Sequence, residues 1–224
     1  MTTQIQLKQL LKPLMDEDPS LISFSRFLVV TPIRHHISAL LLDRTRSEQY
    51  FRVRVWPSFL ALSAERDEPL TGWARYSWPY DNYWSIDEPE YPLNRRMQLK
   101  YSLIPELKLL NDFARFESQQ REYFDDASGG YVETQAFLAI AFGDFKEAAE
   151  WMAKDWRHEP RKLINSHIPG LGDRLAEQGD NLSMEDKRKL IAVLHEREAA
   201  AIHALKLEKY WRPTPFPAEE NGLV

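Results

Sequence analysis

The chain of 224 residues contains no cysteine. Disulfides, thiolate metal sites, iron–sulfur clusters and a cysteine nucleophile are therefore excluded. Long apolar runs are missing too. Stretches such as FLVV (27–30) and ALLL (39–42) fall far short of the roughly 20 residues a bilayer-spanning helix needs. The amino terminus, MTTQIQLKQLLKPLMDEDP, has no basic segment followed by an apolar run, so it does not read as a secretory signal. A cytoplasmic protein with no membrane partner is expected. An excess of positive charge is also lacking: 29 Lys and Arg face 34 Asp and Glu, for a net charge of −5 and a pI near 5.7. That balance argues against a dedicated nucleic-acid binder, whose affinity would rest on neutralising phosphates.

What is present suffices for a packed core, at 43% hydrophobic and 12% aromatic residues. Residues 4–15 space Ile5, Leu7, Leu10, Leu11 and Leu14 as a helix, which Pro13 weakens near its end. Three strand-like segments follow at 24–30, 37–43 and 50–62. In the third, Phe51, Val53 and Val55 alternate with Arg52 and Arg54, which predicts one buried and one wet face. Short polar connections at 31–35 and 43–49 predict an antiparallel meander. From about residue 102 the period becomes helical, with Leu109, Phe113, Phe116 and Tyr123 along one side. A break at 125–130 precedes two short helices joined at Gly143-Asp144. Ser183 then caps a helix of about 27 residues striped by Ile191, Leu194, Ile202 and Leu205. Prolines after residue 212 predict an extended tail. Strands first and helices second predict an α+β fold, with an N-terminal helix and β-meander against a C-terminal helical half. The corresponding regions are 1–100, 101–212 and the tail 213–224, the first two forming one integrated domain.

Residues 71–91, GWARYSWPYDNYWSIDEPEYP, concentrate Trp73, Tyr76, Trp78, Tyr80, Tyr83, Trp84 and Tyr91 beside Asp81, Asp87, Glu88 and Glu90. Two short strands turning at Asp81-Asn82 would set Tyr80 opposite Tyr83. Two readings stand. Bulky rings anchor a long irregular connection, or they offer a surface for a ligand or partner. On the second reading the site is Tyr80, Asp81, Tyr83 and Trp84 with Arg52 and Arg54 of the neighbouring strand. Together with Arg26 and Arg34, those arginines could pair with the acid-rich 65–90 region, or with an anionic partner or nucleic acid.

Chemical motifs are sparse. His35-His36 would point to opposite faces of a strand, which favours a satisfied polar turn over a shared metal. HEREAAAIH (195–203) lacks the second histidine of HExxH, since position 199 is Ala. His195 instead suits the edge of an apolar stripe, bonded to a neighbour. SHIPGLGD (166–173) lacks the third glycine of a dinucleotide fingerprint and reads as a Pro-Gly turn between helices.

Within 129–162, Ala136, Gly143, Ala148 and Pro160, with GDFKEAA opening a second helix, resemble one tetratricopeptide-type helical hairpin. Val132 stands where that motif carries a large aromatic, and Asp155 where it carries a small residue. No second copy occurs at a 34-residue offset, and a solenoid needs about three repeats to bury a continuous core. The resemblance implies a helical hairpin and no peptide-binding groove.

The residues carry no specific catalytic or cofactor signature, and no cofactor is expected. A non-catalytic role in binding another protein, adaptor- or immunity-like, leads. A small-ligand or carbohydrate binder, or a hydrolase, using 71–91 is the alternative.

Overall fold

The computed structural model describes residues 4–44, 50–63, 83–85, 93–123, 129–154 and 159–224. In chain order these form α1 (Gln4–Glu17), β1 (Leu21–Phe24), β2 (Phe27–Val30), β3 (His36–Arg44), β4 (Tyr50–Phe59), α2 (Leu60–Ser63) and β5 (Tyr83–Ser85). Next come α3 (Leu93–Gln98), a π-helical turn (Leu99–Leu103), α4 (Ile104–Leu109) and α5 (Phe113–Tyr123). The remainder is helical: α6 (Gly129–Phe142), α7 (Phe145–Lys154), α8 (Glu159–His167), α9 (Leu171–Gln178), α10 (Met184–Leu205) and α11 (Pro217–Glu220). The class is α+β, with an N-terminal helix, an antiparallel sheet and a largely helical C-terminal part. The chain divides into two compact units, one of residues 1–58, 74–116 and 210–212, the other of 59–73, 117–209 and 213–224.

The sheet unit orders its strands β1-β2-β3-β4-β5. Asp18 ends α1 by accepting bonds from the backbone and hydroxyl of Ser20 at 3.1 and 2.6 Å, an Asx turn that redirects the chain into β1. The segment 24–30 is not one strand. Phe24 pairs with Phe27 across the two-residue loop Ser25-Arg26, and Ser25 adopts a φ of 53° there. β2 then pairs antiparallel with β3 through Leu28↔Leu40, and β4 with β5. One sheet face, with Leu21, Leu28, Val30, Leu40, Leu42, Val53 and Val55, shares a core with Leu10, Leu11 and Leu14 of α1 and with Leu99, Leu103, Leu107 and Leu110.

The wet face expected from the Arg52/Arg54 alternation is not wet. Phe27, Val29, Ala39, Leu41 and Trp56 are buried, and Arg52 and Arg54 are half-buried among the strands that carry them. Alternation records only which residues are apolar; burial of the opposite face depends on what covers it.

Helix begins at Leu93, earlier than residue 102, and is not continuous to Tyr123. Ile104 N–H bonds to Leu99 O, five residues back, so the helix widens by one residue at 99–103. It breaks at Leu110–Asp112, where the Asp112 carboxylate accepts from Arg115 N at 2.9 Å and caps α5. Leu109, expected on the apolar side, is exposed, while Leu107 and Leu110 are buried.

The helical unit is built round α6, in which every residue from Thr134 to Ala141 is buried. A helix apolar on all sides is a core helix. α6 meets α7 at Gly143-Asp144, as expected. Gly143 takes a φ of 82°, closing α6, and the Asp144 carboxylate at once caps α7 by accepting from Glu147 N at 2.8 Å. SHIPGLGD is the turn between α8 and α9. A Cβ on Gly172 would lie 2.6 Å from Arg161 O, so only glycine permits this approach of the two helices. Ser183 caps α10 through Asp186 N, and the expected stripe is buried. The helix is 22 residues long, shorter than predicted, because Lys206 turns left-handed at a φ of 56° and Leu207 N bonds back to Ile202 O. The proline-bearing end, read as extended, contains α11, with Phe216 and Ala218 buried.

Candidate functional site

Among the six residues predicted as a site, Tyr80 and Asp81 lie outside the described residues, as does the Asp81-Asn82 turn. Tyr83 and Trp84 belong to β5, where Tyr83 pairs with Arg52 and Trp84 with Phe51. Register therefore brings Arg52 and Tyr83 side by side, while Arg54 lies beyond the three-residue ladder. Arg26 and Arg34 are exposed, in the β1–β2 loop and before β3. The acidic residues of 65–90 expected to pair with these arginines fall outside the described residues.

His35 and His36 do not form a polar turn. Both are buried. His36 stacks on Phe116 with ring centres 4.4 Å apart and on Phe113 at 5.7 Å, and His35 lies 4.8 Å from Phe113. His36 Nε2 donates to Leu110 O at 2.6 Å. Burial drives the pKa of this imidazole down to about 4, against the opposing effect of that bond, so it is neutral near pH 7. The missed signal was aromatic: Phe113 and Phe116 are spaced to close over a strand.

Another cluster forms on α10. Two charged residues, Arg197 and Glu198, occupy the apolar stripe between Leu194 and Ala201 and are 2% and 0% exposed. Arg197 Nε donates to Ala61 O at 2.5 Å, satisfying a carbonyl in the short helix α2. Its Nη1 reaches His167 Nε2 of α8 at 3.4 Å, and His167 Nδ1 lies 3.6 Å from Glu196. Two residues before Arg197, His195 stands between two carboxylates, with Nε2 2.9 Å from Glu219 of α11 and Nδ1 3.6 Å from Glu198. Glu198 first, and Glu219 with it, raise the His195 pKa above its usual value against the effect of burial. Glu219 also accepts from Phe216 N at 2.7 Å, and the Phe216 ring lies 4.6 Å from the imidazole.

The sequence placed His195 at a stripe edge, bonded to a neighbour, and the structure agrees. It did not reveal Arg197 and Glu198 as buried. The available sign was two charges at stripe positions, three and four residues from Leu194.

Chemically, the two carboxylates hold opposite sides of the ring, so they cannot bind one ion together with it. No group of three or more His, Asp or Glu among the described residues is arranged to hold a metal. A second ionic contact is more exposed: Arg121 of α5 forks onto Glu147 of α7, with Nη2 to Oε2 at 2.7 Å, and holds that carboxyl below its usual pKa. No helix among the described residues is long and apolar enough to cross a membrane. No family model, curated protein or solved structure matches the chain.

Proposed function

We propose that the chain works by binding another protein, in an adaptor- or immunity-like role, through the outer face of α3, the π turn and α4. One observation carries this reading. Leu93, Met97, Tyr101 and Leu109 are all exposed, Tyr101 to 64%, on the side of the helix away from the buried Leu99, Leu103 and Leu107. These exposed residues, with Pro105, recur every four positions. A spacing of four overshoots an α-helical turn by about 0.4 residue, so the row would wind round an unbroken helix. The wider π turn at 99–103 takes up that drift and keeps the row on one side. Widened helical turns of this kind are frequent at functional sites.

The row has the form that receives an amphipathic helix, with anchors spaced along one face. Arg96, Lys100 and Lys108 run along one edge, and Asn94, Gln98, Ser102 and Glu106 along the other. An antiparallel second copy would set Lys100 against Lys100, so the fitting occupant is a helix of another protein with an acidic flank. Lys100 and Lys108 already reach Glu17 and Asp18 at 2.5 Å, which holds that edge in place while leaving each lysine partly exposed. The α6–α7 pair, read as a tetratricopeptide-type hairpin, is not the docking surface in this reading, because Phe137, Phe145, Ala148 and Met152 are buried. A cytoplasmic location belongs to the same proposal.

A photo-crosslinking side chain placed at Tyr101 tests the reading. It is expected to capture one discrete protein from native lysate that a probe at exposed Ser118 does not, and Met97→Glu is expected to abolish capture without lowering the melting temperature. Equal labelling at both positions, or a crosslinked homodimer, would overturn it.

A further inference from the structure

Between α10 and the C-terminal turn, the imidazole of His195 stands between two carboxylates, Glu198 of α10 and Glu219 of α11. We propose that His195 is a proton-operated latch: protonated, it ties Glu219 of α11 to Glu198 of α10, and on losing its proton it loosens the segment 213–224.

The geometry makes the bond conditional. An imidazolium donates from both ring nitrogens, so Nε2 serves Glu219 at 2.9 Å while Nδ1 faces Glu198 at 3.6 Å. A neutral ring has one donor and one acceptor. Whichever carboxylate loses the donor then faces a lone pair, and the attraction becomes repulsion. Glu219 is also the residue that orders α11, since its carboxylate accepts from Phe216 N at 2.7 Å and its position carries the turn that brings Leu223 N back to Ala218 O. Weakening its hold therefore acts on the whole turn. Burial of Phe216 and Ala218, with Leu223 against Gly143, keeps the segment in reach after release.

Among the described residues, the largest charge effects on His195 come from these two carboxylates. The short helix α2 carries no titratable side chain. His167 of α8 is engaged with Arg197 and Glu196. On α6, Tyr131 and Glu133 stand in the N-terminal half, and Glu133 is nine residues, or about 14 Å along the axis, before Phe142 at the end nearest α11. Its partners hold the folded imidazole protonated above the usual histidine range. The contribution is therefore complete below the unfolded value and is lost as pH rises through the raised one.

Hydrogen exchange of the full chain tests the latch. After correction for intrinsic exchange rates, opening of residues 216–223 is expected to rise about tenfold between about pH 6 and pH 9, while α10 stays protected. His195→Gln is expected to show the open level at both values, and Glu219→Gln to show it at the lower one. An NMR titration of the His195 ring is expected to move back toward the ordinary value in Glu219→Gln. Opening that is unchanged across the range, opening that extends equally through α10, or a His195 titration with no change in the segment would each overturn the latch. The wild-type series and the titration stand even if a variant fails to fold.

Discussion

His36 in the sheet unit is buried and His195 in the helical unit partly so, and their environments push them in opposite directions. His36 lies against Phe113 and Phe116 and donates to the neutral carbonyl of Leu110, so burial wins and its pKa falls to about 4. His195 has two carboxylates within 3.6 Å, and their attraction outweighs partial burial. The sheet unit thus accommodates a titratable side chain by keeping it neutral, whereas the helical unit does so by surrounding it with opposite charge. The consequence is two opposite responses to pH in one chain.

The largest test of the contrast removes a buried charge from the helical unit. Arg197→Ala leaves Ala61 O and His167 without their donor and opens a cavity, and denaturant unfolding is expected to show a loss of about 3 kcal/mol. A loss below about 1 kcal/mol would mean that the cluster is not structural.

His36 should produce an effect of similar size, confined to acid. Its folded form stays neutral down to about pH 4, while the unfolded imidazole takes up a proton near 6.5. The unfolded state binds the extra proton between those values, so this contribution is complete above about pH 6.5 and falls by about 3 kcal/mol on the way to pH 4. Melting curves of His36→Phe are expected to lack that acid-side decline, whereas His195→Gln retains it and loses the alkaline-side decline. If the two variants share one pH profile, the contrast fails.

Smaller effects come from caps and exposed pairs. Ser183→Ala removes the acceptor for Asp186 N and is expected to cost about 1 kcal/mol in a thermal melt. Glu185→Gln breaks the exposed pair with Lys189, and about 0.3 kcal/mol is expected, reduced further by salt. A loss from Glu185→Gln as large as that from Arg197→Ala would show that burial does not set the scale.

Much of this fold was legible because its causes are local. Ser183 as a cap, Gly143-Asp144 as the joint between two helices, and Pro169-Gly170 as a turn each depend on bonds within a few residues. So does the α10 stripe, whose period is visible in one dimension. The errors lie where local signals compete or are incomplete. Phe24 to Val30 reads as one apolar run, but Ser25 at positive φ folds it into a hairpin. Leu109 matched a 3.6-residue period with Phe113 and Phe116, but the helix breaks at Leu110–Asp112 between them, and Leu107 and Leu110 are buried in its place.

The candidate site was less legible for a different reason. Sequence alone determined that His195 lies at the margin of an amphipathic helix and that no thiol chemistry is open to this chain. It drew attention to the aromatic run 71–91, of which the described residues include only Tyr83 to Ser85, on a short strand beside β4. Tertiary structure decided that Glu219, 24 residues along the chain, meets the His195 ring and that Leu110 O and two phenylalanines enclose His36. The charge state of a histidine depends on which groups the fold brings within a few ångströms of it and on how much water it displaces. Chain neighbours supply part of this, since Glu198 lies one turn from His195 on α10, but Glu219 and the burial of both rings come from the tertiary fold.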